Sequence, residues 1–211
     1  MSELLNYDFG EEKKFDYSTV SSADAIRHIV RFISGIWQIH AFGEGNTRTT
    51  AVFLIKYLRS FGFEVNNESF EKHSWFFRNA LVRSQYENIP KGIHRTFKPL
   101  ERFMNFAVFG IPADLRNRTL HIRWDVAKPQ SDASKRQNDV LKTSLSSQLS
   151  LKEMVVIRQI QDNQNISIPD IAANTRLSKS TIDRVIRTLK GKGLLTRVGA
   201  KNNATWVINN V

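Results

Sequence analysis

The chain reads His40-Ala41-Phe42-Gly43-Glu44-Gly45-Asn46-Thr47-Arg48 at the point where one apolar helical pattern stops and the next begins. Its two glycines let the backbone take tight or left-handed angles and expose N–H groups. Those amides precede a helix, whose N-terminus favours bound anions. The loop therefore predicts a phosphate site.

The side chains of the loop fit the same chemistry. Arg48, one turn into the following helix, can aim its guanidinium fork at a phosphate, and Asn46 adds a neutral donor. Glu44 would repel phosphate unless a cation lies between them, and Mg²⁺ is bound in this way by few carboxylates and phosphate oxygens. His40 is the nearby group able to accept a proton near neutral pH. Phe42 is expected to point into the core.

Each part of the loop also has a purely structural interpretation. A histidine that ends an apolar helix is commonly a packing residue, and Gly-x-Gly is a common turn. Glu44 and Arg48 could form a surface ion pair worth about 0.3–0.5 kcal/mol. The combination of all nine residues favours the functional interpretation.

Apolar residues at helical spacing surround the loop and predict four helices. The patterns cover residues 26–39, 46–62, 67–85 and 93–109. Ser21 or Ser22 can cap the first, Gly110 ends the last, and residues 1–20 are expected to be irregular. Residues 120–124 alternate as a short strand or form a tail packed across the bundle. Four helices with short connections predict an all-α bundle over residues 1–125.

A polar stretch separates this bundle from the C-terminal part. Residues 126–148 are rich in Ser, Gln and Lys and are interpreted as a linker, with a short helix at 140–145 as an option. Residues 149–211 then predict three helices, at 151–161, 168–174 and 179–192, followed by two β-rich runs around a Gly/Lys/Asn turn. This order indicates a small α+β winged helix-turn-helix domain, so the whole chain is predicted to be mainly α.

The charge of the chain is concentrated in its C-terminal part. The net charge is +11, of which residues 149–211 contribute +6, with 10 Lys/Arg against 4 Asp/Glu. A polyanion partner or a solvated basic surface would explain this excess. The candidate DNA-binding residues lie on the outer face of the third helix and on the wing: Lys179, Ser180, Thr181, Arg184, Arg187, Arg197 and Lys201.

Composition excludes several other classes. The chain has no cysteine, which rules out disulfides, cysteine-ligated metals and thiol catalysis. Neither a signal peptide nor a stretch of roughly 20 apolar residues occurs. The expected location is therefore the cytoplasm, without a membrane partner.

The loop resembles the signature of the Fic (filamentation induced by cAMP) family, His-x-Phe-x-Asp/Glu-Gly/Ala-Asn-Gly/Lys-Arg-x-x-Arg, and the C-terminal part resembles the winged-helix superfamily. The Fic resemblance implies a helical bundle that transfers AMP from ATP to a protein hydroxyl. His40 would be the base and Glu44 the Mg²⁺ ligand. The phosphates would be held by Gly43, Gly45, Asn46, Thr47 and Arg48.

The sequence departs from that family in three ways. Thr47 stands where the signature has Gly or Lys, and Ala51 stands where its second Arg, which helps hold the terminal phosphate, belongs. Arg59 and Arg83 could substitute only if the fold brings them close. The short N-terminus leaves the target-docking flap reduced or missing, as in a truncated gene product. No inhibitory-helix pattern occurs, since Val65 breaks the match begun by Ser60, so inhibition would come from another chain or another mechanism.

The resemblance also points to a base pocket lined by Asn79, Ala80 and Tyr86, which packing within the bundle would explain equally. Two functions remain open. The first is a Mg²⁺-dependent protein adenylyltransferase, weakened by Ala51, with a winged helix for partner or promoter recognition. The alternative is a DNA-binding regulator whose degenerate Fic domain senses a nucleotide.

Overall fold

The structure is a computed structural model and describes residues 2–122, 149–175, 177–199 and 205–209. Within these residues it contains nine α-helices and one antiparallel pair of strands, which confirms the mainly α fold. The helices are α1 (Ser2–Lys14), α2 (Ser22–Gln38), α3 (Asn46–Ser60), α4 (Glu68–Lys72), α5 (Ser74–Gln85), α6 (Lys98–Phe109), α7 (Leu151–Asp162), α8 (Ile168–Thr175) and α9 (Lys179–Gly191). The strands are β1 (Leu195–Val198) and β2 (Thr205–Ile208).

Helices α1 to α6 pack around one hydrophobic core. Ser21 caps α2 by accepting a hydrogen bond from the amide of Asp24, which satisfies one of the free N–H groups at the helix start. Apolar residues recur on one side of α2, and Ile29 and Val30 are fully buried. Gly110, with φ of 64°, ends α6 in the left-handed conformation expected of a glycine at that position.

Four sequence-based expectations for the bundle were wrong in detail. Residues 2–14 form α1 instead of an irregular segment, and the pattern over 67–85 is divided into α4 and α5 at His73. The last helix begins at Lys98, after a 3₁₀ turn over 89–91. No strand occurs over 120–122; instead a 3₁₀ turn ends at Leu120, whose buried side chain packs in the core, as the packed-tail alternative predicts.

Glu12 explains how α1 is held despite its weak apolar pattern. Its side chain is buried and accepts hydrogen bonds from the hydroxyls of Tyr17 and Tyr57, while His28 Nε2 lies 2.7 Å from its second oxygen. The ring of Phe15 stacks on His28 at 3.5 Å. Since a buried carboxylate needs such partners, α1, α2 and α3 are joined through one side chain.

The C-terminal part has its own core and the predicted winged-helix order. A capping box at Ser150 and Glu153 starts α7. Ser178 caps α9, and β1 pairs with β2 in a register that places Arg197 opposite Trp206. Trp206 is 2% exposed and donates from Nε1 to the carbonyl of Ile166 at 2.9 Å, which ties the wing to the helices. The linker and the 140–145 option lie outside the described residues.

The two parts touch along one junction. The amide of Ser22 donates to the carbonyl of Leu149 at 2.6 Å, and Leu151 and Val155 of α7 belong to the core of the bundle. Gly62, with φ of 91°, lies so close to α8 that a Cβ atom would be 2.8 Å from the carbonyl oxygen of Thr175. A cleft of about 450 Å³ opens beside this contact, and none of loop 40–48 lines it. Among the helices of the described ranges, none is long and apolar enough to cross a membrane.

Candidate functional site

His40 lies where α2 ends and the loop begins. Its φ of 48° makes it the single non-glycine residue of the described chain with a left-handed backbone, a conformation that side chains adopt at some energetic cost. The imidazole is exposed, its Nδ1 lies 3.2 Å from the carbonyl oxygen of Gln38, and its ring is 4.9 Å from that of Trp37. If Nδ1 carries the proton it donates to this carbonyl, which leaves Nε2 as the proton acceptor.

Two side chains at the start of α3 fix the shape of the loop. Asn46 accepts from the amide of Phe42 at 3.0 Å and donates from Nδ2 to the carbonyl of the same residue at 2.7 Å. Thr47 Oγ1 accepts from Trp37 Nε1 at 3.1 Å. The predicted phosphate donor Asn46 therefore keeps one Nδ2 hydrogen for a ligand. The sequence pattern alone did not point to these bonds, since neither spacing is a recognised motif.

Phe42 does not point into the core. Its side chain is 53% exposed, because the two bonds of Asn46 turn the backbone of Phe42 toward α3. The expectation of a buried anchor was wrong, and Trp37, half-buried against the core, takes that role.

The N-terminus of α3, the predicted anion site, is not capped by a side chain. Gly45 is its N-cap with φ of 75°. The first helical bond runs from the amide of Thr49 to Gly45, so the amides of residues 46–48 have no helical acceptor. An added Cβ at Gly45 would lie 3.9 Å from the guanidinium of Arg48, and at Gly43 it would meet nothing within 4 Å. Space, free amides and one guanidinium meet at this point, as anion binding requires.

Glu44 is exposed on the same loop and forms no hydrogen bond or ion pair with another described residue. No group of three or more acidic or histidine side chains that could hold a metal occurs in the described ranges. One free carboxylate beside a phosphate site nevertheless fits Mg²⁺, which takes its remaining ligands from phosphate oxygens and water.

The position of the second signature arginine carries no charge. Ala51 is half-buried against the core, one turn after Arg48. Arg59 lies at the far end of α3 and donates to the carbonyl of Val65 at 2.9 Å, so it does not replace the missing arginine. Arg83 donates to the carbonyl of His94 at 3.2 Å.

The three residues of the predicted base pocket lie in different environments. Ala80 is fully buried in the core, Asn79 donates to Asn117 at 3.1 Å, and Tyr86 is 42% exposed. Packing explains Ala80, and Tyr86 remains on the surface.

The second candidate site is the outer face of α9. Ser180, Arg184 and Arg187 are exposed on one side, and the opposite side is buried in the core of the winged helix. Lys179 is also exposed, and Thr181 is half-buried with its hydroxyl 2.8 Å from that of the N-cap Ser178. These positions match the face predicted for a nucleic acid.

Other basic residues of this region have structural partners. Arg197 and Lys190 lie over the ring of Trp206, at 5.0 and 5.4 Å from its centroid. Lys192 donates to the buried carboxylate of Glu153 at 2.8 Å. Lys201, the remaining predicted wing contact, lies outside the described residues.

Comparison with protein families gives two matches. Residues 3–58 match the model of the Fic/DOC family, and residues 149–204 match the model of the MarR family. No curated protein and no solved structure matches the chain significantly. The first match contains loop 40–48 and ends within α3. The second covers α7 to β1 and ends just before β2. They support a Fic-type enzyme segment and a DNA-binding regulatory segment, respectively. The chain thus joins an N-terminal segment that matches the Fic/DOC family to a C-terminal segment that matches the MarR family.

Proposed function

We propose that the chain transfers AMP from ATP to the hydroxyl of a Ser, Thr or Tyr side chain of a target protein, with Mg²⁺. The observation that carries the proposal is the loop geometry: an exposed histidine and an uncapped helix N-terminus with Arg48 share nine residues. The Fic/DOC match over the same loop supports it.

The chain's own residues divide the reaction between them. His40 accepts the proton of the target hydroxyl, whose oxygen attacks the α-phosphorus of ATP. The bond from that phosphorus to the bridging oxygen breaks, and pyrophosphate leaves. Arg48 and the amides of residues 43–48, with Asn46 and Thr47, hold the phosphate oxygens and stabilise the charge that develops. Mg²⁺ bound to Glu44 would neutralise part of the phosphate charge.

The winged helix is proposed to bind DNA through α9. Its exposed face carries Arg184 and Arg187, and its N-terminal turn carries Lys179. A helix with this charge pattern suits a major groove flanked by phosphates. The MarR match supports this assignment.

Ala51 favours a second candidate function. The half-buried methyl group of Ala51 occupies the position of the second phosphate-binding arginine. The terminal phosphate is therefore bound less tightly. In that case the loop binds a nucleotide without efficient transfer, and the chain is a nucleotide-sensing regulator that binds DNA.

One experiment separates the two candidates. The full chain is incubated with Mg²⁺, α-labelled ATP and a bacterial protein mixture, beside His40→Ala. The transferase produces labelled protein that the variant does not, and γ-labelled ATP gives no protein label. Equal protein labelling by the wild-type chain and by His40→Ala argues against transfer. ATP binding by calorimetry without any label selects the regulator.

A further inference from the structure

The helix α5 is apolar on two opposite sides, but the structure buries only one of them. The buried side consists of Phe76, Phe77, Ala80, Leu81 and Ser84. The opposite side presents Trp75, Val82 and Tyr86, which lie within one narrow stripe because they are spaced seven and four residues apart. Ile89, in the 3₁₀ turn that follows, extends it. Their exposed fractions are 66%, 38%, 42% and 65%.

An uncovered apolar stripe of this kind indicates a binding surface. Single exposed apolar residues are common and need no explanation, whereas several on one face of a helix indicate an interaction site. Between Trp75 and Val82 this face also carries the exposed Arg78 and the half-buried Asn79. A helix that is apolar on both sides is normally buried on both. We name Trp75, Val82, Tyr86 and Ile89 the α5 stripe.

Positive charge flanks the α5 stripe. Arg78 lies over the ring of Trp75, with its guanidinium carbon 5.8 Å from the ring centroid. Lys91, Arg95 and Lys98 are exposed on the segment that follows the stripe. The one acidic side chain over residues 75–98, Glu87, lies 3.7 Å from His94. Positive charge therefore predominates on this surface and favours an acidic partner.

These two properties select one kind of occupant. A second copy of the chain, docked through the same face, would bring the cations of both copies together. DNA supplies negative charge but offers the aliphatic Val82 and Ile89 little to pack against, since phosphates dominate its contacts. A protein segment with apolar side chains on one face and acidic ones at its edges satisfies both, in the manner of a helix laid on a groove.

The C-terminal end of α5 is hydrogen-bonded, on the side away from the α5 stripe, to α2, the helix that leads to loop 40–48. Gln85 Nε2 donates to the hydroxyl of Ser34 at 2.6 Å, and the hydroxyls of Ser34 and Ser84 lie 2.6 Å apart. Ser34 precedes His40 by six residues, about 9 Å along α2. The exposed Phe42 provides a further apolar contact beside His40.

We propose that the α5 stripe and its flanking cations are the docking surface for the target protein, and that this surface binds an acidic amphipathic segment. The inference rests on the proposed transfer reaction for its biological meaning. Its physical content, binding of an acidic amphipathic segment, does not depend on nucleotide or on turnover.

The test is binding of a synthetic helical 16-residue peptide with leucines on one face and glutamates at its edges, followed by fluorescence anisotropy without nucleotide. We expect saturable binding that Trp75→Ser/Ile89→Ser weakens at least tenfold. Leu4→Ser, at a 59% exposed site on α1, serves as the matched control and leaves binding unchanged. Arg78→Glu/Arg95→Glu should favour the same peptide with lysine in place of glutamate.

Several results would overturn the proposal. These are no saturable binding, equal weakening by Leu4→Ser, or no preference for glutamate over lysine. Binding to anionic phosphatidylserine vesicles that the stripe variant abolishes, without peptide binding, assigns the surface to a membrane instead. If the wild-type chain forms a dimer and Trp75→Ser/Ile89→Ser does not, the α5 stripe is assigned to self-association. Loss of His40-dependent labelling with intact peptide binding affects only the transfer reaction, so the two proposals fail separately.

Discussion

Asn46 is hydrogen-bonded to the backbone of Phe42 through both ends of its carboxamide, at 3.0 Å to the amide and 2.7 Å to the carbonyl. This pair closes the loop that carries His40 and Glu44. The residue predicted to contact phosphate also holds the loop in shape, so its role can be tested separately from that of a simple donor.

We expect Asn46→Asp to lower ATP affinity about tenfold or more. Aspartate keeps the acceptor for Phe42 but replaces the donor with an oxygen that faces the carbonyl, and a net hydrogen bond is worth about 1 kcal/mol. It also adds negative charge at the phosphate site. Calorimetry with Mg-ATP measures the effect. Asn209→Asp, which breaks the bond from Nδ2 to the carbonyl of Gly193 in the winged helix, should leave the affinity unchanged; equal losses in both variants would contradict the prediction.

Restoring the missing arginine should strengthen the site. Ala51→Arg places a guanidinium one helical turn after Arg48, and a hydrogen bond to a charged group contributes about 1.5–3 kcal/mol, or roughly tenfold to a hundredfold in ATP affinity. The control is Val52→Arg, one position further on and 50% exposed, where the added charge points about 100° away. If both variants bind ATP equally well, the gain comes from bulk charge and not from the signature position.

The junction between the bundle and the winged helix should depend on Gly62. Gly62→Ala would place a methyl group 2.8 Å from the carbonyl oxygen of Thr175 at a φ of 91°. Gly92→Ala has a comparable left-handed backbone, φ of 66°, with nothing within 4 Å. The backbone costs about 1–2 kcal/mol in each, so any larger loss of unfolding free energy at Gly62 measures the contact. Urea unfolding measures the unfolding free energy of both variants. Equal losses would mean that the junction accommodates the added methyl group at Gly62 without an energetic penalty.

The buried carboxylate of Glu12 predicts a pH dependence. Burial, followed by the hydrogen bonds to Glu12, raises the pKa of Tyr17 and of Tyr57 above the usual value of about 10. A raised folded-state pKa gives stability that is present below the unfolded pKa and is lost as pH rises through the folded one. We therefore expect the unfolding free energy to fall above pH 10.

Tyr57→Phe should cost about 1–3 kcal/mol at pH 7, because Glu12 loses a donor while buried, and should flatten the alkaline decline. Denaturant unfolding at pH 7 and at pH 11 measures both effects. Tyr7→Phe, at a 67% exposed position, is the control and should alter neither. A decline that is unchanged in Tyr57→Phe would have to come from other groups.

Removal of two basic residues of the winged helix should have different effects, one on the salt dependence of DNA binding and the other on stability. Arg187→Gln removes a cation from the exposed face of α9 and should lower the slope of log affinity for duplex DNA against log salt by about 0.9. Lys192→Gln removes a cation whose amine contacts the buried Glu153, so it should reduce stability and leave the slope unchanged. A slope that falls equally in both would mean that DNA contacts extend beyond the predicted face.

The elements that the sequence predicted well are those with local signals. Ser21 caps α2 and Gly110 ends α6, and both act on their own neighbours in the chain. The amphipathic α2 and α9 repeat their apolar residues at helical spacing, so their bounds were predicted within a few residues. Loop 40–48 was recognisable as a candidate site because its residue types are close together in sequence.

The elements that were missed depend on partners far along the chain. Helix α1 lacks a clear apolar face, and it is held by the contact of Glu12 with Tyr57, 45 residues away. The exposure of Phe42 follows from the carboxamide of Asn46, whose rotamer no local pattern encodes. The exposure of the α5 stripe was also not predicted, because only packing shows which side of α5 is covered.

The bond from Trp37 Nε1 to Thr47 Oγ1 has a practical use. The indole also lies 4.9 Å from the ring of His40, so a fluorophore is built into the loop, in contact with residues on both sides of it. Changes in its emission on addition of a nucleotide would report loop occupancy in real time without any attached dye.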